Sequence, residues 1–287
     1  MEKRLNILKT YKLFIGGQFP RTESGRYYLL KDKSGQHIAN ICRGSRKDFR
    51  NAVVAARNAF GPWSKKTAYN RSQILYRLAE MLEGRGEQFV NELVQQGATT
   101  KAAEKEVNVA IDRLVYYAGW GDKYQQVFST VNPVATAHFN FSIPEPSGVV
   151  AIITPDQSPL LSLVTLCAPA ILGGNTCIIL TSETQPLTAS TFAEVINSSD
   201  VPGGVVNILT GYRKELSTHF ASHMDVNTLI YSGDDKEELK MIQQESVNNV
   251  KRVVVPKVDN WYSEKAENPY LVLDTQEIKT TWHPVGI

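Results

Sequence analysis

The sequence predicts an α/β fold: an open parallel sheet between helices, with a helical part ahead of it and a small antiparallel arm. Three observations carry this. Val149–Ile153 and Thr176–Leu180 are short, almost wholly apolar runs, the pattern of strands buried on both faces. Between them lies an apolar helical stretch. Thr154-Pro155-Asp156 breaks the first strand, Ser158-Pro159 restarts the chain with a hydroxyl at the cap and proline at the first helical position, and Gly173-Gly174-Asn175 stops it. Beyond this βαβ unit, three further strand-like runs alternate with helical ones. In such sheets ligands bind at the turn after the first strand.

In chain order, Lys12–Gln18 and Arg26–Leu30 read as a hairpin at an edge, turning at Gly and Pro. Ser45 caps a first helix, with Asp48 as its capping-box partner and Phe49, Ala52, Val53, Ala56 and Phe60 as its apolar stripe. Asn70–Leu82, Glu87–Gln96 and Glu104–Tyr124 follow as helices, the last with Val107, Ile111, Leu114, Val115 and Ala118 inward. Phe128–Ile143 alternates weakly and contains Pro133, so it reads as an exposed hairpin or arm. After the βαβ unit come a helix over Leu187–Ile196, a strand over Gly204–Leu209, a helix over Lys214–Ala221, a strand over Asn227–Tyr231, a helix over Asp234–Val247 and a strand over Arg252–Val255. Five strands alternating with helices make an open parallel sheet of Rossmann type. Pro256–Asn268 is polar and irregular. Tyr270–Leu273 and Glu277–Trp282 read as two short strands.

A chain of 287 residues can bury a large core in one or two domains. Its net charge of +2 gives no nucleic-acid signal, and no apolar run approaches the ~20 residues of a membrane span. Met1–Leu13 has basic residues but no apolar core, so it does not read as a signal peptide. Cys42, Cys167 and Cys177 are far apart and odd in number, which points to reduced thiols and a cytoplasmic protein. The histidines show no metal spacing. His219 and His223 are four apart but have no evident carboxylate or cysteine partner, and a solvated helix end explains them.

FIGGQF near the start, PEPSGVVAIITP, NTCIIL followed by Ser182-Glu183, VPGGVVNILTG and HMDVNTLIYSG occur in an order that resembles the NAD(P)-dependent aldehyde dehydrogenase superfamily over nearly the whole chain. The PDQSPLL turn and KTTWHP tail look most like the degenerate C-terminal module of class-16 aldehyde dehydrogenases. The resemblance implies a cofactor-binding domain over 1–127 and 144–256, and an oligomerisation arm with its tail strand over 128–143 and 269–287. The family's catalytic lobe would have to lie between Val255 and Tyr270, where only a short linker is found, so that lobe is expected to be absent.

The family's chemistry needs a thiolate nucleophile in a Gly-Gln-x-Cys segment. Neither Gly17-Gln18 nor Gly35-Gln36 is followed by that cysteine, and Cys167 and Cys177 lie within apolar elements, as structural cysteines do. Gln157 stands where the family's oxyanion-donating Asn is expected, one methylene longer; the plainer reading is that Asp156 and Ser158 cap the helix. Pro256 stands where the resemblance places the general base, and it cannot accept a proton. No catalytic residue and no metal ligand is therefore assigned. The resemblance places the cofactor groove at Thr154, Pro155, Ser182, Glu183, Gly211, Ser232 and Gly233. Glu183 keeps the ribose-binding carboxylate, but Leu180 replaces the family's lysine, Asp234 and Asp235 put carboxylates where a pyrophosphate is expected, and Glu238 replaces a second glycine of the family. The expectation is weak or lost NAD(P) binding.

The sequence thus implies a catalytically silent aldehyde dehydrogenase-like subunit with a structural or assembly role. Its arm would pair with a second copy, as a homo-oligomer, or with a full-length aldehyde dehydrogenase, as a hetero-oligomer, with no nucleic-acid or membrane partner. The alternatives are an NAD(P)-dependent oxidoreductase completed by a partner chain, and a nucleotide-binding regulator without turnover.

Overall fold

The computed structural model, which describes residues 8–286, opens with β1 (Thr10–Tyr11), β2 (Tyr27–Lys31) and β3 (His37–Cys42). The reading of Met1–Leu13 as lacking an apolar leader falls in part on residues 1–7, outside the described residues. The expected hairpin is displaced. β2 pairs antiparallel with β3, and β1 runs parallel to β3 on its other side. Lys12–Gln18 instead turns on itself, because Gly16 and Gly17 both adopt left-handed backbone (φ +62° and +80°). Phe14 then exchanges backbone hydrogen bonds with Ile208 at 2.9 and 2.8 Å and docks this segment on the main sheet.

Helices follow, as expected: α1 (Arg46–Ser64), α2 (Ala68–Glu83), α3 (Gly86–Gln95), α4 (Thr100–Ala118) and the short α5 (Tyr124–Phe128). Ser45 and Asp48 form the full capping box at α1, a device typically worth about 1 kcal/mol. α4 stops before Gly119 and Gly121 rather than at Tyr124. Val115, expected inward, is 42% exposed. The buried stripe of α4 runs through Ala103, Glu106, Val107, Ala110, Arg113, Leu114 and Tyr117. Two of its members are charged, and a stripe drawn through apolar residues alone has the wrong phase.

The arm strands β4 (Thr130–Asn132) and β5 (His138–Pro146) lead into β6 (Val149–Ile153), α6 (Pro159–Leu172), β7 (Thr176–Leu180), α7 (Leu187–Ser198), β8 (Val206–Leu209), α8 (Arg213–Ser222), β9 (Thr228–Tyr231), α9 (Lys236–Ser246) and β10 (Arg252–Val254). The central sheet is parallel throughout, in the order β10-β9-β6-β7-β8. Alternation along the strands sorts the core into two layers. Val150, Ile152, Cys177 and Ile179 pack with α2, α4, α6 and α7; Val149, Ala151, Ile153, Ile178 and Leu180 pack with α1 and α8.

α6 is buried on every side, so its orphan backbone groups need protein partners. Ser158 does not supply one: it sits at φ 48° with no capping bond, and Asp156 points elsewhere. The cap comes from α4, where the Glu106 carboxylate accepts the N–H groups of Leu160 (2.9 Å) and Leu161 (3.2 Å). At the other end Arg71 Nε donates to the Leu172 carbonyl (2.6 Å) and Trp63 Nε1 to that of Ile171 (3.0 Å). Asn175 N–H returns to Ala170 and Gly174 N–H to Ile171, closing the helix as the glycine pair predicts. An anion at the N-terminus and a cation at the C-terminus also match the helix dipole.

After β10 no lobe intervenes. The chain passes through a 3-10 turn (Glu264–Ala266) and α10 (Tyr270–Leu273) straight to β11 (Gln276–Pro284). Tyr270–Leu273 is a helical turn rather than the expected strand; Pro269 opens it and the Asn268 side chain accepts the Tyr270 N–H at 2.9 Å. The connection is tied to α4: Arg113 donates to the Trp261 carbonyl (3.1 Å) and Tyr117 to that of Asn268 (3.3 Å). β11 pairs antiparallel with β5 over its full length. Register places Val131 and Phe139 on one face of this small sheet and Ile278 and Trp282 on the other, each at least 46% exposed.

Candidate functional site

The C-terminal ends of β6, β7 and β9 meet the N-termini of α8 and α9 around an open cleft of roughly 520 Å³. Asp156, Glu183, Arg213, Lys214, Asp235 and Glu238 are among its lining residues. The turns after apolar strands place them there, as doubly wound sheets do.

The expected groove residues fall into two groups. Thr154, Pro155, Ser182 and Glu183 converge. The Ser182 hydroxyl donates to Asp156 Oδ1 at 2.6 Å, and the Glu183 N–H to the same oxygen at 3.2 Å. Thr154 is buried, its N–H on the Leu180 carbonyl. The carboxylate of Glu183 is already engaged: it accepts the backbone N–H of Arg213 at the start of α8. Arg213 Nη2 in turn donates to the Thr154 carbonyl at 2.5 Å and lies 3.6 Å from Asp156. Arg213 escaped the sequence reading. Its signal was position alone, two residues after Gly211 at the end of a strand.

Gly211, Ser232 and Gly233 are held by other contacts. A side chain at Gly211 would meet Leu216 (3.1 Å) and Gly44 (3.2 Å), so this glycine answers a close approach between backbones. Ser232 N–H pairs with the Ile153 carbonyl. Space beside Gly233 is taken by the Tyr231 hydroxyl, 2.6 Å from where a Cβ would stand. That hydroxyl lies 2.8 Å from Glu238 and 3.0 Å from the Asp235 carbonyl, with its single proton shared between the two acceptors, and burial followed by the Glu238 carboxylate raises its pKa. The N-terminus of α9 is closed by its own cap: Asp235 accepts the N–H groups of Glu237 (2.8 Å) and Glu238 (3.1 Å).

The catalytic positions are equally plain. Cys42, Cys167 and Cys177 are free and buried, and burial pushes the Cys42 and Cys177 thiols up. Gln157 is exposed beside the turn. Among the described residues no His, Cys, Asp and Glu cluster is arranged to hold a metal, and no helix is long and apolar enough to cross a membrane.

Comparison with known proteins places these features in context. The profile of the aldehyde dehydrogenase family matches residues 20–256. The chain is 33% identical over 257 residues to cytosolic 10-formyltetrahydrofolate dehydrogenase of Mus musculus, covering 88% of this chain and 28% of that protein. It is 31% identical over 249 residues to mitochondrial benzaldehyde dehydrogenase of Antirrhinum majus, covering 85% of this chain and 46% of that one. Aldehyde dehydrogenase from Bacillus cereus, solved as an NAD+ complex, superposes with a TM-score of 0.81 at 26% identity, covering 86% of this chain and 50% of that chain. The chain thus spans half or less of the length of each of these relatives.

Proposed function

Because the chain belongs to the aldehyde dehydrogenase family, we propose that it is a catalytically silent member with a structural or assembly role. It pairs through its arm with a second copy or with a full-length aldehyde dehydrogenase, in the cytoplasm. The observation that carries this reading is the direct run from β10 to β11. Where the resemblance calls for a lobe bearing the nucleophile, the 255–275 connection lies folded against α4. Pro256 stands where the base is expected, and the three thiols are buried.

The cleft residues fit NAD(P) poorly. Four carboxylates and two cations line it, α9 is capped by Asp235, and Glu183 is held by α8. A pyrophosphate entering there meets like charge, at about 1–4 kcal/mol for each close pair. Weak or lost cofactor binding follows. Arg213 and Lys214 in the same cleft favour a second reading, a nucleotide-responsive regulator without turnover.

Exposed apolar residues on both faces of the arm and the outer edge of β11 support the pairing. The test is mass-resolved size determination of the protein isolated from its native cell, with bound chains identified. A homo-oligomer or a complex with a full-length aldehyde dehydrogenase is expected, and F139D should abolish it. A monodisperse monomer at micromolar concentration refutes the assembly role, and aldehyde-dependent NAD(P)H formation by the pure protein refutes silence.

A further inference from the structure

α1 and α8 lie side by side, and one patch between them lacks counter-charge. Arg46 and Arg50 stand one turn apart on α1, and His219 lies in the last turn of α8 with His223 as its C-cap. With Phe49 and Ser222 they line a pocket of roughly 270 Å³. Its floor is firm: Phe49 stacks on Phe220 with centroids 4.2 Å apart and meets His223 edge-on at 5.6 Å.

Neighbouring cations on the same side are neutralised. Arg43 pairs with Glu215, Lys47 with Glu23 and Arg57 with Asp225. Among the described residues no carboxylate pairs with Arg46 or Arg50. Asp225, the acid beside His223, is taken by Arg57 at 2.7 Å. Behind the pocket the buried Lys251 ammonium donates to the Phe220 and His223 carbonyls. His223 Nδ1 accepts the Asp225 N–H at 3.2 Å, which leaves Nε2 as the donor of the neutral ring. Burial, and then the Arg46 charge, hold the His219 imidazole below its ordinary range; burial does the same to His223, with Lys251, Arg50 and Arg46 adding to it against Asp225.

We propose that this pocket binds a phosphate-type dianion, with Arg46 and Arg50 supplying charge and His219 and His223 supplying N–H donors. Guanidinium forks suit phosphate oxygens, and a bound dianion stabilises both imidazolium forms. The site is separate from the cleft. His219 and His223 lie six and ten residues after Arg213, roughly 9 to 15 Å along the helix direction.

The test is an NMR titration of the histidine rings of the full chain with inorganic phosphate and with glycerol phosphate, ionic strength held constant with sodium chloride. Saturable shifts confined to His219 and His223, with their pKa values raised, are expected. R46Q and R50Q should each weaken binding by about tenfold. Tighter binding of glycerol phosphate assigns the site to a phosphorylated metabolite; equal binding assigns it to free phosphate. Parallel shifts of all five histidines, the same shifts with acetate, or no saturation overturn the proposal. Should either variant unfold, the titration of the unmodified chain decides alone.

Discussion

The backbone N–H of Arg213 donates to the carboxylate of Glu183. The side chain that the family resemblance assigns to a ribose is thereby spent on starting α8. The guanidinium of the same residue lies across the Thr154 carbonyl, in the mouth of the cleft.

Two variants separate crowding from charge in this cleft. R213G removes the guanidinium but keeps the N–H on Glu183. E238Q removes a carboxylate near the α9 N-terminus while keeping its size. If charge dominates, E238Q tightens NAD+ binding by about fivefold or more, as expected for removing roughly 1 kcal/mol of repulsion, and R213G does not. Isothermal titration checks this. Low-micromolar affinity in the unmodified chain contradicts the premise.

The thiols give a second test. All three cysteines are buried, and burial raises the Cys42 thiol despite the lowering pull of the Thr22 and Leu13 backbones and of Arg21. The folded protein should therefore react negligibly with an aromatic disulfide reagent, and the denatured protein with three equivalents. One fast equivalent in the native state points to a usable nucleophile, and labelling C42S identifies it.

How far the sequence carried is clear from particular residues. Val149–Ile153 and Thr176–Leu180 were legible as strands because strands buried on both faces are apolar at every position. The Ser45–Asp48 box was legible because its signal is local. The cap of α6 was not, since Glu106 lies 54 residues before Leu160 and only the fold brings them together. Val115 belongs to an apolar stripe out of phase with the buried one: Glu106 and Arg113 occupy the buried face, and their polarity hides it. In the cleft, strand ends and turns were readable, but the Arg213–Glu183 engagement was not, because it joins the turn after β7 to the start of α8, 30 residues on.

Glu92 predicts an inverted pH dependence. It lies on α3, accepts the Thr191 hydroxyl at 2.6 Å, and has its other oxygen without a partner. Burial, the largest cause, raises its pKa from 4.5 to about 7. A carboxyl whose folded pKa lies above its unfolded value holds its proton longer in the native state. Its contribution is fully present below the unfolded pKa and is lost as pH rises toward 7, by about 3 kcal/mol in all. E92Q should flatten stability between pH 4.5 and 7 and leave the variant more stable than the parent at pH 7.5. Urea midpoints at these pH values decide. A stability difference between E92Q and the parent that does not grow as pH rises across this window contradicts the assignment.

Arg113 and Glu267 test what holds the 255–275 connection in place. The pair is long, 3.4 Å, and Glu267 is partly exposed whereas Arg113 is buried. Arg113 also donates to the Thr165 hydroxyl and to the Trp261 carbonyl, both at 3.1 Å. Those bonds satisfy a charge that burial penalises, and it is burial that lowers the arginine's pKa. E267Q should accordingly cost about 1 kcal/mol or less, because the contact is long and the Glu267 carboxylate is partly hydrated. R113A removes the anchor and leaves its buried partners unmet, costing about 3 kcal/mol or more. It should also open 257–268 to limited proteolysis while the central sheet resists. Equal losses for the two variants mean that the ion pair, not the hydrogen bonds to Trp261 and Thr165, docks the connection on α4.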